Sequence, residues 1–359
     1  MEYAEFLKEY EPFSLPQPEK EKIFSEVLDR LTVYHRENCE PYRKILDAFE
    51  YISGNKSCAE IPFLPVRLFK ELELRSCPEK EIFKTMTSSG TSGQAVSKIY
   101  LDKDTAANQQ KTLARIMSEY TGGHRLPMII IDCPSVLKKR EMFSARGAGI
   151  LGFSIFGRKK IYALDDNMKL EMEKIVGFLE EHKDERILLF GFTFMIWQHF
   201  YRALQERGVK LDLSKGILIH GGGWKKLQQE AVSPREFNRA LQKVCGIREV
   251  YNYYGMVEQT GCICMECGEG HLHVSSYSDI ITRRGRDFSV ADIGEKGIIQ
   301  VLSLLPKSYP GHSLLTEDEG VILGVDDCPC GRKGKYFQIM GRLKNAEIRG
   351  CSDTYADKF

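Results

Sequence analysis

This chain of 359 residues has little in its composition from which division, export or attraction to a polyanion would be expected. It lacks a Pro/Gly/Ser-rich linker, a run of like charge, an internal repeat and a low-complexity tract. Although longer than the usual single domain, it therefore reads as one large enzyme-like unit. Basic and acidic residues nearly cancel, 51 against 50, so no broad field of one sign attracts nucleic acid or an anionic membrane. The start, MEYAEFLKEYEPF, interrupts its apolar residues with acids where a secretory signal needs a basic start and an unbroken apolar stretch. That predicts a cytoplasmic protein. The most apolar run, Ile187 to Trp197, is about half the length that crosses a bilayer and contains Gly191 and Thr193, so no membrane span is expected.

Cysteine, by contrast, is plentiful, with 11 in the chain. In a large chain without an export signal, thiols or metal ligands are expected in place of disulfides. Cys39, Cys58, Cys77, Cys133 and Cys245 are scattered, Cys262, Cys264 and Cys267 cluster, Cys328 and Cys330 pair, and Cys351 lies near the end. Four Cys or His ligands drawn from two short knuckles is how structural zinc is usually held. His271 and His273 lie beside the first cluster.

From Lys20 to Phe49, Ile23, Phe24, Val27, Leu28, Leu31, Val33 and Tyr34 recur at helical spacing. The stretch IPFLPVRLFK (61 to 70) carries two prolines and reads as an extended strap. Beyond Gly93, apolar runs alternate with helical stretches. The strand-like pieces are Ser97 to Leu101, 127 to 132, 186 to 192, 216 to 223 and Glu249 to Tyr254. The helical ones are Asp104 to Tyr120, 168 to 183, 195 to 207 and 233 to 244. Such alternation predicts an α/β layered domain. From Leu272 onward shorter β-like pieces dominate, including Gly297 to Leu304 and Gly320 to Gly324.

The segment Thr87, Ser88, Ser89, Gly90, Thr91, Ser92, Gly93 alternates hydroxyl side chains with glycines after a strand-like segment. Backbone amides freed by glycine and flanking hydroxyl donors suit triphosphate oxygens. The alternative for such a string alone is a flexible Ser/Gly turn. It has no Gly-Lys-Ser/Thr ending, so a P-loop nucleotidase is a poor fit.

Further strings follow in a fixed order: HGGGWKKL (220 to 227), NYYGMVEQTG (252 to 261), LLTEDEG (314 to 320) and MGR (340 to 342). Together with the hydroxyl-rich loop they resemble the adenylate-forming superfamily of acyl-CoA synthetases, peptide-synthetase adenylation domains and firefly-type luciferases. The CPCGR string (328 to 332) before Gly341-Arg342 resembles that superfamily's phenylacetate-CoA ligase branch. LPQPEKEKIF (15 to 24), the strap 61 to 70 and RGCSDTY (349 to 355) resemble, more narrowly, the acyl-protein synthetase family, the long-chain-fatty-acid luciferin-component ligases. This likeness covers nearly the whole chain.

The resemblance implies a fold and a set of roles. The fold is the large N-terminal domain of adenylate-forming enzymes, layered sheets with helices and a smaller β-rich part. Residues 1–85 form a helical lead-in and strap, 86–342 the core and 343–359 a short tail. The loop Thr87 to Gly93 holds the phosphates of ATP, and Gly221, Gly222 and Gly223 lie along the adenine. Tyr254, followed by Gly255, covers the adenine face, and Glu258 holds Mg2+. Val257 stands where the signature has threonine. Asp318 accepts the ribose hydroxyls, with Arg342 adding positive charge beside them. The ligand set implied for structural Zn2+ is Cys267, His273, Cys328 and Cys330, with Cys264 and His271 in reserve.

In acyl-CoA ligases a mobile lid domain follows the Gly-Arg hinge and supplies a lysine. Here 17 residues follow Arg342 and Lys344 stands near the hinge position, so a chain without that lid is expected. Cys351, preceded by Arg349-Gly350, matches the family's acyl-accepting cysteine. A thiolate near an arginine on a flexible tail is nucleophilic and mobile. The activity implied is ATP-dependent activation of a fatty or related carboxylic acid, then transfer to Cys351 and onward to an acyl reductase partner, with a homo-oligomer left open. Two alternatives stand beside it: an aryl- or acyl-CoA ligase with coenzyme A as acceptor, and a zinc-stabilised scaffold whose adenylate site has decayed. Phe190, Phe192, Phe194, Met195 and Trp197 are candidates to line an acyl pocket, although their spacing is more typical of strand and helix core.

Overall fold

Residues 3–54, 56–88, 95–137, 145–224 and 229–343 are described by the computed structural model. They fall into two compact units, residues 3–54, 56–88, 95–116 and 255–343 in the first and 117–137, 145–224 and 229–254 in the second.

The helical spacing near the start produces the helix Gln17–Asn38, which buries Lys20, Phe24, Leu28, Thr32 and His35 along one stripe. Where one helix to Phe49 was expected, there are two. Cys39 is extended, at φ −134° and ψ 102°, and a second helix runs Glu40–Ala48 with Pro41 in its first turn. Proline has no amide hydrogen to donate and is tolerated only at a helix start, so it marks the break. The strap is extended only at β1, Leu64–Pro65, before the short helix Leu68–Glu71. Next come β2 (Lys84–Thr87) and β3 (Lys98–Leu101), an antiparallel pair in which Thr87 lies opposite Lys98. The helix Lys103–Thr121 follows, and the Asp102 carboxylate accepts from the Thr105 amide at 2.7 Å in its first turn.

The second unit is built on five parallel strands: β4 (Leu126–Ile131), β5 (Gly157–Tyr162), β6 (Ile187–Phe192), β7 (Gly216–Gly221) and β8 (Glu249–Tyr254). Their order is β8-β7-β6-β4-β5. Strands β6 and β7 are buried along their whole length, as unbroken apolar runs in a parallel sheet should be. The intervening helices include Met172–Glu181, a helical run from Thr193 to Arg207 and Pro234–Cys245. The last begins with a reciprocal Ser233/Glu236 capping box. The sequence patterns assigned nothing between 133 and 167. The helix Ala145–Ser154 and β5 lie there, hidden by glycines at 147, 149 and 152 and by the exposed Lys159 and Lys160.

The rest of the first unit is antiparallel. Its strands are β9 (Cys264–Glu266), β10 (Leu272–His273), β11 (Ser278–Arg283), β12 (Lys296–Ser303), β13 (Ser313–Val325) and β14 (Lys335–Arg342). They are ordered β11-β12-β13-β14-β10-β9, and β1 lies parallel to β13 with Leu64 opposite Leu314. Among the described residues no helix is long and apolar enough to cross a membrane.

Candidate active site

The hydroxyl-rich loop is described only at its start. Thr87 is exposed at the end of β2 and Ser88 is buried, while Ser89, Gly90, Thr91, Ser92 and Gly93 lie outside the described residues. Across the hairpin, Ser88 and Ser97 clamp each other. The Ser88 amide donates to the Ser97 carbonyl at 3.1 Å, and the Ser97 amide donates to Ser88 Oγ at 2.9 Å.

From this clamp Ser97 Oγ donates to Glu258 Oε1 at 2.7 Å. Glu258 sits on a short 3-10 turn, Val257–Gln259, and is 1% exposed. The turn is pinned from both sides. The Gln259 side-chain amide donates to the carbonyls of Val301 (3.2 Å) and Gly311 (2.8 Å), and Tyr309 Oη donates to the Glu258 carbonyl at 2.9 Å. Gly261, at φ +96°, lets the helix Lys103–Thr121 approach closely, since a Cβ there would lie 2.7 Å from the Gln109 carbonyl oxygen. A carboxylate is costly to bury unless bonded or charge-paired. Glu258 is therefore no solvated loop acid but a group held in place by its surroundings. Spacing alone gave no hint of Ser97, Gln259 or Tyr309, whose bonds at this turn span 42 to 161 residues of sequence.

Asp318 and Arg342 face each other across β13 and β14. Asp318 Oδ1 lies 3.3 Å from Arg342 Nε, and Arg342 Nη2 donates to Glu317 Oε2 at 2.7 Å. Both side chains are partly exposed, at 21% and 34%, so the pair is open to a ligand while fixed by its own contacts.

In the second unit, Gly221 ends β7 directly opposite Tyr253, with Tyr254 the last residue of β8. Parallel pairing thus puts the glycine segment and Tyr254 at neighbouring carboxyl ends of strands, where open α/β sheets bind ligands. A Cβ at Gly221 would stand 2.5 Å from the Tyr253 ring, Gly222 adopts φ +78°, and Gly223 is unhindered. Gly255 follows Tyr254 and is exposed. His220, just before the glycines, is bonded to Thr193 Oγ1 at 3.0 Å, and burial pushes its imidazole down to about 3.

Of the acyl-pocket candidates, Phe190, Phe192, Met195 and Trp197 are buried and Phe194 is half-buried. Phe190 stacks on Phe153 at 4.4 Å and Trp197 on Tyr201 at 4.4 Å, which is the core packing their spacing favoured. A feature not anticipated from sequence is the buried pair of Asp132 and Arg146, 3.0 Å from Oδ2 to Nε, in which burial raises the carboxyl above its usual range despite the guanidinium.

All ten cysteines among the described residues are free thiols. Cys267, His273, Cys328 and Cys330 each present one ligand atom, and these atoms lie within 4.8 Å of one another. Cys267 Sγ and Cys328 Sγ are 4.0 Å apart, and Cys330 Sγ lies 3.4 Å from His273 Nε2. Ligands on a tetrahedral zinc with bonds near 2.3 Å are about 3.8 Å apart, so three thiols and an imidazole at these distances suit that ion. His273 is held down at about 4, mainly by burial and then by Arg332, which leaves the neutral ring that a metal needs. Of the reserve residues, His271 Nδ1 approaches Cys328 Sγ at 3.4 Å, whereas Cys264 is buried elsewhere with its thiol pushed up to about 12 by burial. Cys351 and Lys344 lie outside the described residues.

A family model described as acyl-protein synthetase, LuxE, matches residues 2–359. Two curated relatives are long-chain-fatty-acid--luciferin-component ligases. The one from Aliivibrio fischeri is 23% identical over 365 residues, covering 94% of this chain and 89% of its own. That from Vibrio harveyi is 20% identical over 357 residues, covering 95% and 89%. Among solved structures, an open conformation of 2-hydroxyisobutyryl-CoA ligase in complex with 2-HIB-AMP and CoA superposes with a TM-score of 0.71 at 18% identity, covering 94% of this chain and 78% of that one. ATP-bound MatB from Rhodopseudomonas palustris gives a TM-score of 0.50 at 16% identity, covering 76% and 50%. The fold is that of the N-terminal domain of adenylate-forming acyl-CoA ligases.

Proposed function

The chain belongs to the acyl-protein synthetase family, LuxE, and from that premise we propose that it activates a fatty acid with ATP and passes the acyl group to a protein thiol. The observation that carries this reading is the bond from Ser97 at the loop base to the buried Glu258 carboxylate, 2.7 Å long. Through Ser88, which Ser97 clamps, it links the start of the hydroxyl-rich loop to Glu258, in keeping with a shared role at the polyphosphate.

The fatty acid carboxylate attacks the α-phosphorus of ATP. A bond from carboxylate oxygen to phosphorus forms, the bond to the β-phosphate breaks, and pyrophosphate leaves. The loop Thr87 to Gly93 binds the phosphates through its amides and hydroxyls. Tyr254 and Gly221 to Gly223 receive the adenine, Asp318 accepts the ribose hydroxyls, and Arg342 orients Asp318. Glu258 would hold Mg2+, which neutralises the charge that builds on the leaving pyrophosphate. The Cys351 thiolate then attacks the acyl carbon, the carbon–sulfur bond forms, the bond to AMP breaks, and AMP departs. The thioester is the form in which an acyl reductase partner in the cytoplasm, bringing its own hydride donor, would take the chain as aldehyde and release the Cys351 thiol. The four-ligand knuckle fits structural Zn2+, tying β10 to the turn before β14.

Incubation with ATP, Mg2+ and a radiolabelled fatty acid tests the acceptor. Hydroxylamine-labile label is expected on the native chain and not on Cys351→Ser. Equal label on both proteins rules out Cys351, and thioester formation only when coenzyme A is added makes the protein a CoA ligase.

A further inference from the structure

Ser97 carries no motif, yet every polar atom it has is committed. Its carbonyl accepts from the Ser88 amide, its amide donates to Ser88 Oγ, and its hydroxyl donates to Glu258 Oε1. Its exposure is 0%, Ser88 is 7% exposed and Glu258 1%. The hairpin sets this arrangement: Thr87 pairs with Lys98, which brings Ser88 and Ser97 to its mouth, next to where the hydroxyl-rich segment starts.

The geometry points to Ser97 as a positioning residue that orients the Glu258 carboxylate relative to the base of the phosphate loop. This rests on the proposed role of Glu258. A carboxylate on a glutamate side chain rotates about its last bond. A hydroxyl donor fixed by two backbone bonds of its own removes that freedom at Oε1. Glu258 is immobilised from the other end as well, through the Tyr309 bond to its carbonyl. The carboxylate is thus pre-set for a cation, and Ser97, whose polar atoms are all committed to Ser88 and Glu258, acts through it.

The test measures two quantities on the full chain over a magnesium titration: fatty-acid-dependent exchange of pyrophosphate into ATP, and equilibrium Mg2+ binding by calorimetry. Variants are Ser97→Ala, Ser97→Cys, Ser97→Thr, Glu258→Gln and the double variant with Ser97→Ala. Losing one hydrogen bond to a charged group should raise the half-saturating magnesium concentration about tenfold in the alanine and cysteine variants. Threonine, which keeps the hydroxyl, should restore it. In the Glu258→Gln background, Ser97→Ala should add no further shift, because a residue acting through Glu258 has nothing left to act on. Cysteine preserves the volume, so it carries the test if alanine does not fold. Should cysteine or alanine lower kcat with the magnesium dependence unchanged while Glu258→Gln shifts it, Ser97 is merely structural and the inference fails alone. An unshifted magnesium dependence in Glu258→Gln overturns the role of Glu258, and the inference with it.

Discussion

In the antiparallel unit the candidate residues are set by contacts between side chains: Glu258 by Ser97, Arg342 by Glu317 and Asp318, and the Cys/His knuckle by the convergence of Cys267, His273, Cys328 and Cys330. In the parallel unit they are set by backbone: Gly221 lies under the Tyr253 ring, Gly222 takes a positive φ, and Tyr254 is placed by strand pairing. The two designs should fail differently. A side-chain network fails when a partner is removed, even without change of volume, whereas a backbone arrangement fails when volume is added.

The largest effect is expected at the knuckle proposed to hold Zn2+. Cys328→Ser should lose its zinc, read by elemental analysis, and lower the unfolding free energy by more than about 3 kcal/mol. A variant that keeps both metal and stability would remove the knuckle from the comparison. Next is Glu258→Gln, nearly isosteric, for which acid-dependent exchange should fall at least ~100-fold with the melting temperature almost unchanged. On the other side, Gly221→Ala should cost about 1–3 kcal/mol in a denaturant melt, because its Cβ meets the Tyr253 ring. Gly223→Ala, with nothing within 4 Å, should stay within about 0.5 kcal/mol. Equal losses at 221 and 223 would contradict the backbone account.

Acid probes both units. Burial holds His35 in the first and His220 in the second at about 3, against 6.5 for a free imidazole. The folded chain keeps them neutral while the unfolded chain protonates them. Their stabilisation is therefore complete above pH 6.5 and is lost as the pH falls from there toward 3, by up to about 1.4 kcal/mol per pH unit for each. Replacing His220 with Gln should flatten the fall between pH 6.5 and 5.5 by about 1 kcal/mol in urea melts. An unchanged slope would show that His220 titrates as if free.

The strands of the parallel sheet were legible because burial on both faces writes them as apolar runs such as ILLFGF. The convergence of Cys267, His273, Cys328 and Cys330 was legible because they come in two short clusters of chemically distinctive residues. Helix Ala145–Ser154 and β5 were not, since glycine and lysine there mask any period. Ser97 was invisible for another reason: its role arises from a contact 161 residues away in sequence. Burial of Glu258 and the Asp132–Arg146 pair likewise came from tertiary packing.

Every role proposed for these residues depends on adenylation of a carboxylic acid by this chain. Isotope exchange between pyrophosphate and ATP, measured on the native chain with and without a long-chain fatty acid, tests it most directly. Exchange that requires both the acid and magnesium is the predicted result. No exchange with fatty, short-chain or aromatic acids would contradict that prediction and leave a non-catalytic scaffold in its place.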